Sequence, residues 1–217
     1  NGGCYYQSDL DVLQQFIDNS SETINMDMDV DGSGVIEPLE LGSQTWEDGR
    51  LKELKSEGGG FSGLIPTQIG SLTGLEELNL SDNQLTGVIP QQIGNLENLY
   101  ELSFGGNQLS GGIPIEICQL NQLESLELDG NDLSGEIPDC LDELVLLNDL
   151  VIENNQLSGE IPENICNIMF VGLSNNQLCP PYPECLTEED VGYQDTSNCE
   201  EQSLCDEEIE VELWGEC

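Results

Sequence analysis

Residues 81–96 read SDNQLTGVIPQQIGNL, and closely similar stretches follow at regular intervals along the chain. They are GGNQLSGGIPIEICQL (105–120), DGNDLSGEIPDCLDEL (129–144) and ENNQLSGEIPENICNI (153–168). The asparagines of these stretches, Asn83, Asn107, Asn131 and Asn155, are 24 residues apart each time. A fixed period of this length predicts a stack of similar structural units, in which each unit contacts its neighbours.

The period extends beyond these four units in both directions. One unit earlier, Gly59 takes the asparagine position in GGGFSGLIPTQIGSL. One unit later, LSNNQL (173–178) comes three residues early and stops at Cys179. The sequence therefore predicts about five full repeats and a truncated last one across residues 51–178.

The residue types within one unit predict its local structure. In LEELNLSDNQL we expect Leu75, Leu78, Leu80 and Leu85 to point inward, and the LxL step alternates as a short strand does. The side-chain amide of Asn83 can bind backbone groups that the turn leaves unpaired, and the later asparagines would stack on it as a ladder. A proline in each Gly-x-Ile-Pro segment excludes a helix there and favours a second extended stretch.

These units resemble the 24-residue, plant-type class of the leucine-rich repeat family, with the pattern LxxLxxLxLxxNxLxGxIPxxIGxL. The resemblance implies an α/β solenoid, a right-handed superhelix with short parallel strands. Both ends of such a stack expose apolar surface and unpaired strand edges, which need covering. We therefore predict a helical N-terminal cap in residues 1–50, repeats in 51–178, and a Cys-rich acidic C-terminal cap or tail in 179–217.

The charge of the chain is strongly acidic. Its 217 residues contain 44 Asp and Glu but only 3 Lys and Arg and no His, which gives a formal net charge of −41. Nucleic-acid binding needs clustered basic residues, so the composition excludes it. Repulsion among so many carboxylates opposes compaction, so bound cations and disulfides are expected to offset it.

The N-terminal segment is predicted to contain a helix over residues 8–21. Leu10, Leu13, Phe16 and Ile17 fall on one helical face, and Ser8 with Asp11 resembles a capping box. Further on, Trp46 in TWEDGRLKEL (45–54) is expected to cover the end of the core.

The stretch between them, DVDGSGVIEPLE (29–40), has the spacing of a metal loop. A twelve-residue frame that starts at Asp27 places Pro38 at the last position, where a bidentate carboxylate is needed. The frame that starts at Asp29 places a suitable residue at each diagnostic position and resembles an EF-hand loop. We expect a structural Ca²⁺ that holds the cap against the first repeat; the alternative is an acidic turn without metal. The predicted ligands are Asp29, Asp31, Ser33, the Val35 carbonyl, Glu37 and Glu40.

Nine cysteines without a CxxC pair or a histidine favour disulfides in an oxidising, extracellular compartment over a zinc site. Cys118 and Cys166 lie two repeats apart, too far for a direct bridge, so Cys140 could bond to either. The cysteines around PPYPE resemble the C-terminal caps of secreted leucine-rich repeat proteins, which makes Cys166 a plausible partner for one of them. The candidates are Cys4, Cys118, Cys140, Cys166, Cys179, Cys185, Cys199, Cys205 and Cys217; because their number is odd, at least one is left over or pairs outside this sequence.

The last segment, CDEEIEVELWGEC (205–217), alternates apolar and acidic residues as a β-strand does. It either folds back on its own solenoid, or pairs with a neighbouring chain or leads into further repeats. VELWGEC resembles linker segments of large secreted bacterial repeat proteins. The sequence has no run of 18 apolar residues, so no membrane span is expected.

The outer face of the repeat strands is predicted to be acidic and nearly free of aromatic residues, which favours a cationic or Ca²⁺-bridged protein partner over tight apolar recognition. Its candidate residues are Glu77, Glu101, Glu127, Asp129, Asp149 and Glu153. No catalytic arrangement is evident, so an enzyme is not expected. We interpret the chain as a secreted, calcium-stabilised leucine-rich repeat module for protein interaction or adhesion. The alternative is a subunit of an extracellular filament, a homopolymer joined end to end through its caps, its tail strand or a disulfide between chains.

Overall fold

The computed structural model describes residues 4–199. Two α-helices lie near its ends, α1 (Gln7–Asn19) and α2 (Glu188–Val191). The strands are β1 (Ser43–Glu47), β2 (Arg50–Lys55), β3 (Ser62–Leu64), β4 (Glu77–Asn79), β5 (Gln84–Gly87), β6 (Glu101–Ser103), β7 (Gln108–Gly111), β8 (Ser125–Glu127), β9 (Asp132–Gly135), β10 (Asp149–Val151), β11 (Gln156–Glu160), β12 (Phe170–Gly172) and β13 (Gln177–Cys179).

These strands form two sheets within the described residues. One has seven strands in the order β1-β2-β4-β6-β8-β10-β12, and the other has six in the order β13-β11-β9-β7-β5-β3. Only β1 and β2 are antiparallel; the other pairs are parallel. Each full repeat contributes one strand to each sheet and continues in a 3₁₀ helix after its proline; these helices are Thr67–Ser71, Gln91–Asn95, Ile115–Gln119, Asp139–Glu143 and Glu163–Asn167. The predicted α/β solenoid is confirmed.

The core lies between the two sheets as columns of leucines. Leu78, Leu102 and Leu126 occupy the same register on neighbouring strands, and none is accessible to solvent. The leucines predicted to point inward are all fully buried; they are Leu75, Leu78, Leu80 and Leu85. One repeat cannot bury this apolar surface alone, so stacking drives the fold.

A ladder of buried asparagines joins one repeat to the next. The Asn107 side chain donates to the backbone carbonyls of Phe104 and Gly105 in its own turn and to that of Leu80 in the preceding repeat. Its amide oxygen accepts a hydrogen bond from the backbone N–H of Leu85. Asn83, Asn131 and Asn155 repeat this arrangement, so the predicted ladder is confirmed.

Helix α1 packs on the N-terminal end of the stack. The Phe16 ring stacks on that of Phe61 in the first repeat, with ring centroids 5.5 Å apart. The buried face of the helix consists of Asp9, Val12, Leu13, Phe16 and Ile17, whereas Leu10 is only half-buried. Trp46 is partly buried against the core, as expected, and its ring meets Tyr5 edge to face.

The predicted capping box at Ser8 is wrong. The helix begins at Gln7, so Ser8 lies inside it, and its hydroxyl donates to Asp9. The carboxylate of Asp9 is fully buried because it accepts a hydrogen bond from the Leu51 backbone N–H at 3.0 Å and pairs with Arg50 at 3.2 Å. These contacts are more than 40 residues away in sequence, so the local pattern could not indicate them.

Among residues 4–199, three disulfides secure the last repeats and the C-terminal cap. Cys118 bonds to Cys140, which resolves the alternatives left open by the sequence. Cys166 bonds to Cys185, as one of its two expected partners, and Cys179 bonds to Cys199. Cys4 is exposed and forms no disulfide within residues 4–199.

Some expectations concern residues that the structure does not describe. The predicted strand in 205–217, its resemblance to bacterial linker segments, and the partners of Cys205 and Cys217 all lie outside residues 4–199. Within those residues, no helix has both the length and the apolar composition that crossing a bilayer requires.

Removing one asparagine of the ladder should weaken the stack strongly. In Asn131→Ala the carbonyls of Phe104, Leu128 and Asp129 and the N–H of Leu109 lose a partner inside the protein. Each carbonyl keeps one other donor, from Asn107, Asn155 or Gly106, whereas the buried Leu109 N–H is left without this acceptor, so we expect the free energy of unfolding to fall by about 2 kcal/mol. Urea denaturation measures this loss. The control Asn98→Ala removes a single exposed hydrogen bond to Thr73 and should cost less than about 1 kcal/mol; equal losses would contradict the role of the ladder.

Candidate metal loop and interaction face

The predicted metal loop brings three carboxylates together. Asp29, Asp31 and Glu40 each offer an oxygen, and these oxygens lie within 4.8 Å of one another. The loop turns sharply because Gly32 and Gly34 both adopt positive φ, of 70° and 85°. The spacing of the sequence is thus reproduced in space for the first, third and last positions of the frame.

Backbone N–H groups of the loop orient these carboxylates. Asp29 accepts hydrogen bonds from the N–H groups of Ser33 and Gly34, at 3.0 and 2.7 Å. Glu40 accepts from Val30 and Asp31 through one oxygen. The N–H of Ser33 also donates to Asp31, and this bond is the main reason why the pKa of the Asp31 carboxyl lies below its usual value.

The remaining predicted ligands are Ser33, the Val35 carbonyl and Glu37. The Ser33 hydroxyl donates to the Val35 carbonyl at 3.0 Å, so these two oxygens are neighbours. The carboxylate of Glu37 is not part of the cluster, although its backbone N–H donates to Glu40 at 3.1 Å. Hard oxygen atoms from carboxylates, a hydroxyl and a carbonyl are the donors that Ca²⁺ prefers, so the chemistry of this set fits a calcium ion.

The loop is attached to the N-terminal end of the solenoid. Ile36, the eighth residue of the frame that starts at Asp29, is 4% exposed and belongs to the main core. The Gln44 side chain, on β1, donates to the carbonyls of Pro38 and Leu41 at 2.7 and 2.8 Å. The loop therefore lies where a bound ion would connect the cap to the first repeats.

The outer side of the seven-stranded sheet, called the strand face below, presents side chains in columns that cross the strands. One column contains, in register, Glu53, Glu77, Glu101, Ser125, Asp149 and Phe170. A second contains Lys55, Asn79, Ser103, Glu127, Val151 and Gly172. Neighbouring strands are about 4.8 Å apart, so adjacent carboxylates in a column repel one another.

One predicted member of the interaction face is not accessible. The Glu77 side chain is only 7% exposed because Lys55 binds one carboxylate oxygen at 2.7 Å and the Tyr100 hydroxyl donates to the other at 3.0 Å. Burial, followed by the bond to Glu77, raises the pKa of Tyr100 to about 12. Of the other candidates, Asp149 is exposed and the rest are half-buried; these are Glu101, Glu127, Asp129 and Glu153.

Other carboxylates of the strand face repel the Glu101 carboxylate. Partial burial raises the pKa of its carboxyl above the ordinary value, and the negative charges of Glu77 and Glu127 raise it further. The positive charge of Lys55 lowers this pKa, but by less than each of these three causes raises it. The strand face beyond the first repeats is therefore a surface on which added positive charge is favourable.

Sequence reasoning missed an apolar patch at the end of this face. Val145, Leu146, Met169 and Phe170 are 84%, 40%, 86% and 57% exposed. Phe170 aligns with Asp149 in the column of acids. The signal was present in the sequence: the spacing from Asn155 to Asn176 is 21 residues instead of 24, which moves Phe170 into the strand register.

Comparison with protein families and solved structures agrees with this architecture. Leucine rich repeat family profiles match residues 73–133 and 146–168. No curated protein sequence matches the chain.

Three solved structures illustrate the similarity. The ectodomain of the Arabidopsis receptor kinase HAESA, in complex with an extended IDA peptide hormone ligand, is 40% identical over 59% of this chain and 22% of its own, with a TM-score of 0.58. The PEPR1–AtPEP1 structure is 27% identical over 87% of this chain and 28% of its own, with a TM-score of 0.71. This chain thus spans less than a third of those two proteins.

The third structure is matched over nearly its whole length. A chain of the BIR3–SERK2 complex from Arabidopsis thaliana is 30% identical, with a TM-score of 0.64, over 81% of this chain and 98% of its own. The repeat register, the asparagine ladder and this match agree, and the chain belongs to the leucine-rich repeat family.

Proposed function

We propose that this chain is an extracellular, non-catalytic binding module that recognises a positively charged protein segment on its strand face. The observation that carries this proposal is the column of carboxylates on neighbouring strands, with Glu101 held against Glu77 and Glu127. A cationic partner would relieve their repulsion and would be steered to the face by the net charge of −41.

The distribution of the basic residues supports the same partner chemistry. Lys52 pairs with Glu76 and Lys55 with Glu77, both at 2.7 Å, and Arg50 pairs with Asp9. These three are the only basic residues of the chain, and all lie on β2. The carboxylates of β6, β8 and β10 therefore have no lysine or arginine of their own.

The extracellular location is supported by the three disulfides, which persist in oxidising compartments. Related solved structures are receptor ectodomains, one of them in complex with a peptide hormone. Binding of a protein or peptide by this chain is consistent with that relationship.

We further propose that the loop of residues 29–40 binds one structural Ca²⁺. The support is the convergence of Asp29, Asp31 and Glu40, together with the attachment of the loop to the core through Ile36. The ion would neutralise part of this cluster and fix the cap, without the paired loop that a calcium sensor uses. No contact among residues 4–199 supports the filament alternative. Electron microscopy of the purified chain would show fibres if the chain assembles into filaments.

Calcium removal should lower the melting temperature. Mass action predicts a stabilisation of about 2.7 kcal/mol at a calcium concentration near 100 times the Kd, and a chelator removes it. Asp29→Asn and Asp31→Asn should abolish calcium binding in calorimetry and make the melting temperature insensitive to chelator. The matched control is Asp27→Asn, in the same segment but outside the cluster, and it should bind as the wild type does. An unchanged melting curve of the wild type after chelation would contradict the site.

Neutralising Glu101 should stabilise the protein at neutral pH. Because the folded-state pKa of Glu101 lies above its ordinary value of 4.5, its contribution to stability is full below that value and is lost as the pH rises through the folded-state pKa. We therefore expect Glu101→Gln to raise the melting temperature at pH 7 and to leave it unchanged near pH 4. Glu97→Gln, an exposed control next to the same repeat, should change it little at either pH. A Glu101→Gln variant that is less stable at pH 7 would contradict the repulsion.

Reversing charge on the strand face should weaken binding of a cationic probe. We expect Glu101→Lys combined with Asp149→Lys to weaken binding of a labelled Lys-Ser repeat peptide at least about tenfold in fluorescence anisotropy. The control pair, Glu136→Lys with Glu160→Lys, makes the same charge change next to the other sheet and should have a much smaller effect. Equal weakening by both pairs would mean that net charge alone, and not the strand face, attracts the probe.

A further inference from the structure

The apolar patch adjoins a groove between the 3₁₀ segments Asp139–Glu143 and Glu163–Asn167. The groove has a volume of about 250 Å³ and is lined by Leu141, Leu144, Val145, Leu147, Asn164, Asn167 and Ile168. Val145 belongs to both the groove and the patch, and Met169 follows Ile168 directly. The patch and the groove thus share Val145 near the C-terminal end of the solenoid.

The patch is confined to this end of the solenoid. The positions that correspond to Val145 and Met169 in earlier repeats are Thr73, Glu97 and Asn121, all polar and exposed. An apolar cluster at a position that is otherwise polar is typical of a contact surface.

The groove also contains a polar group that needs a partner. The Asn164 side-chain nitrogen donates to the backbone carbonyl of Asp139, while its amide oxygen is buried and has no hydrogen-bond partner among the described residues. A buried acceptor without a donor is costly, and because solvent does not reach this oxygen, an occupant that supplies an N–H group satisfies it only if the Asn164 side chain turns toward the groove.

The surroundings of the patch select a positive charge. Phe170 is in register with Asp149, and the neighbouring column of the strand face carries Glu127 beside Val151. A lysine or arginine side chain combines the required features, because its aliphatic stem packs on apolar walls while its head supplies N–H donors and positive charge.

One extended ligand segment is long enough to contact both Glu101 and the apolar patch at Phe170. Glu101 and Phe170 are separated by three strand intervals, on β6, β8, β10 and β12. At about 4.8 Å per interval this is roughly 14 Å, which about four or five extended residues can span.

We propose that the partner segment ends its basic stretch with an arginine or lysine followed by an apolar residue. The basic side chain enters the groove, where Asn164 turns to accept a hydrogen bond from it, and the apolar residue covers Met169 and Phe170. This inference rests on the proposed cationic binding function of the strand face and adds the site that anchors one end of the ligand.

The test uses two labelled peptides that differ in one residue. The anchored peptide is Lys-Ser-Lys-Ser-Gly-Gly-Arg-Phe, and the control peptide ends in Arg-Ser; both carry the same charge. We expect the anchored peptide to bind the wild-type chain about tenfold more tightly in fluorescence anisotropy, because a phenylalanine side chain leaves water.

The anchoring residues are tested with matched protein variants. Met169→Ser combined with Phe170→Ser should remove the difference, so that the two peptides bind this variant with equal affinity. Leu64→Ser with Val88→Ser, two exposed apolar residues next to the other sheet, should preserve the tenfold difference. Circular dichroism of each variant verifies that the solenoid remains folded.

The outcomes separate this inference from the proposed function. Equal binding of both peptides to the wild type overturns the anchor but leaves the proposed cation-binding function of the strand face intact. No binding of either peptide overturns both proposals.

Ultracentrifugation of the chain alone tests whether something else covers the patch. If the chain is a dimer, and Met169→Ser with Phe170→Ser converts it to a monomer, a second copy covers the patch. If the two peptides differ in affinity only after the chain is shortened to end at residue 199, the last segment of the chain covers the patch. Either result overturns the proposal.

Discussion

The side-chain amide of the asparagine at each turn fixes the geometry of this solenoid. Asn107 binds two carbonyls of its own turn, one carbonyl of the preceding repeat, and one N–H of that repeat. An amide has two N–H groups and one acceptor oxygen in a rigid plane, so one N–H is shared between two of the three carbonyls, and all these bonds form together only when neighbouring repeats have one relative position. The 24-residue period of the sequence thereby becomes a fixed spatial period, and the columns of core leucines and of strand-face residues both follow from it.

The same register concentrates negative charge. Because equivalent residues of successive strands lie directly beside one another, a repeat that carries glutamate at one position builds a column of carboxylates about 4.8 Å apart. The few cations act only at the N-terminal end, where Lys55 allows Glu77 to be buried and Arg50 does the same for Asp9. A stack held together by burial and by buried polar bonds can carry such a surface, although its repulsion is a cost that bound cations or a cationic partner would reduce.

The sequence predicted those parts of the fold that repeat. The leucine columns, the asparagine ladder and the parallel strands each depend on a pattern that recurs several times, so local chemistry and periodicity specify them together. Features that depend on contacts between distant, unrepeated residues were missed. Asp9, in the first turn of α1, is buried because its partners are Arg50 and Leu51, which the predicted capping box did not anticipate. The burial of Glu77 likewise involves Tyr100 from the next repeat. The candidate metal loop is an intermediate case, since its spacing predicted the convergence of three carboxylates but not that the Glu37 carboxylate lies outside their cluster.

The shortened last repeat explains why an apolar surface occurs at one end of an acidic face. In the full repeats a core leucine lies three residues after the leucine that ends each 3₁₀ segment, as in Leu144 and Leu147. After Ile168 the chain enters β12 almost at once, with only Met169 between them, because the strand keeps its register with β10 although three residues are missing. The repeat therefore has no leucine to stack on Leu147, and this column ends in the groove. The C-terminal cap covers the neighbouring part of the core through Val191 of α2 and the two disulfides of Cys166 and Cys179, so the end of the leucine column is the part of the stack that an external side chain can complete.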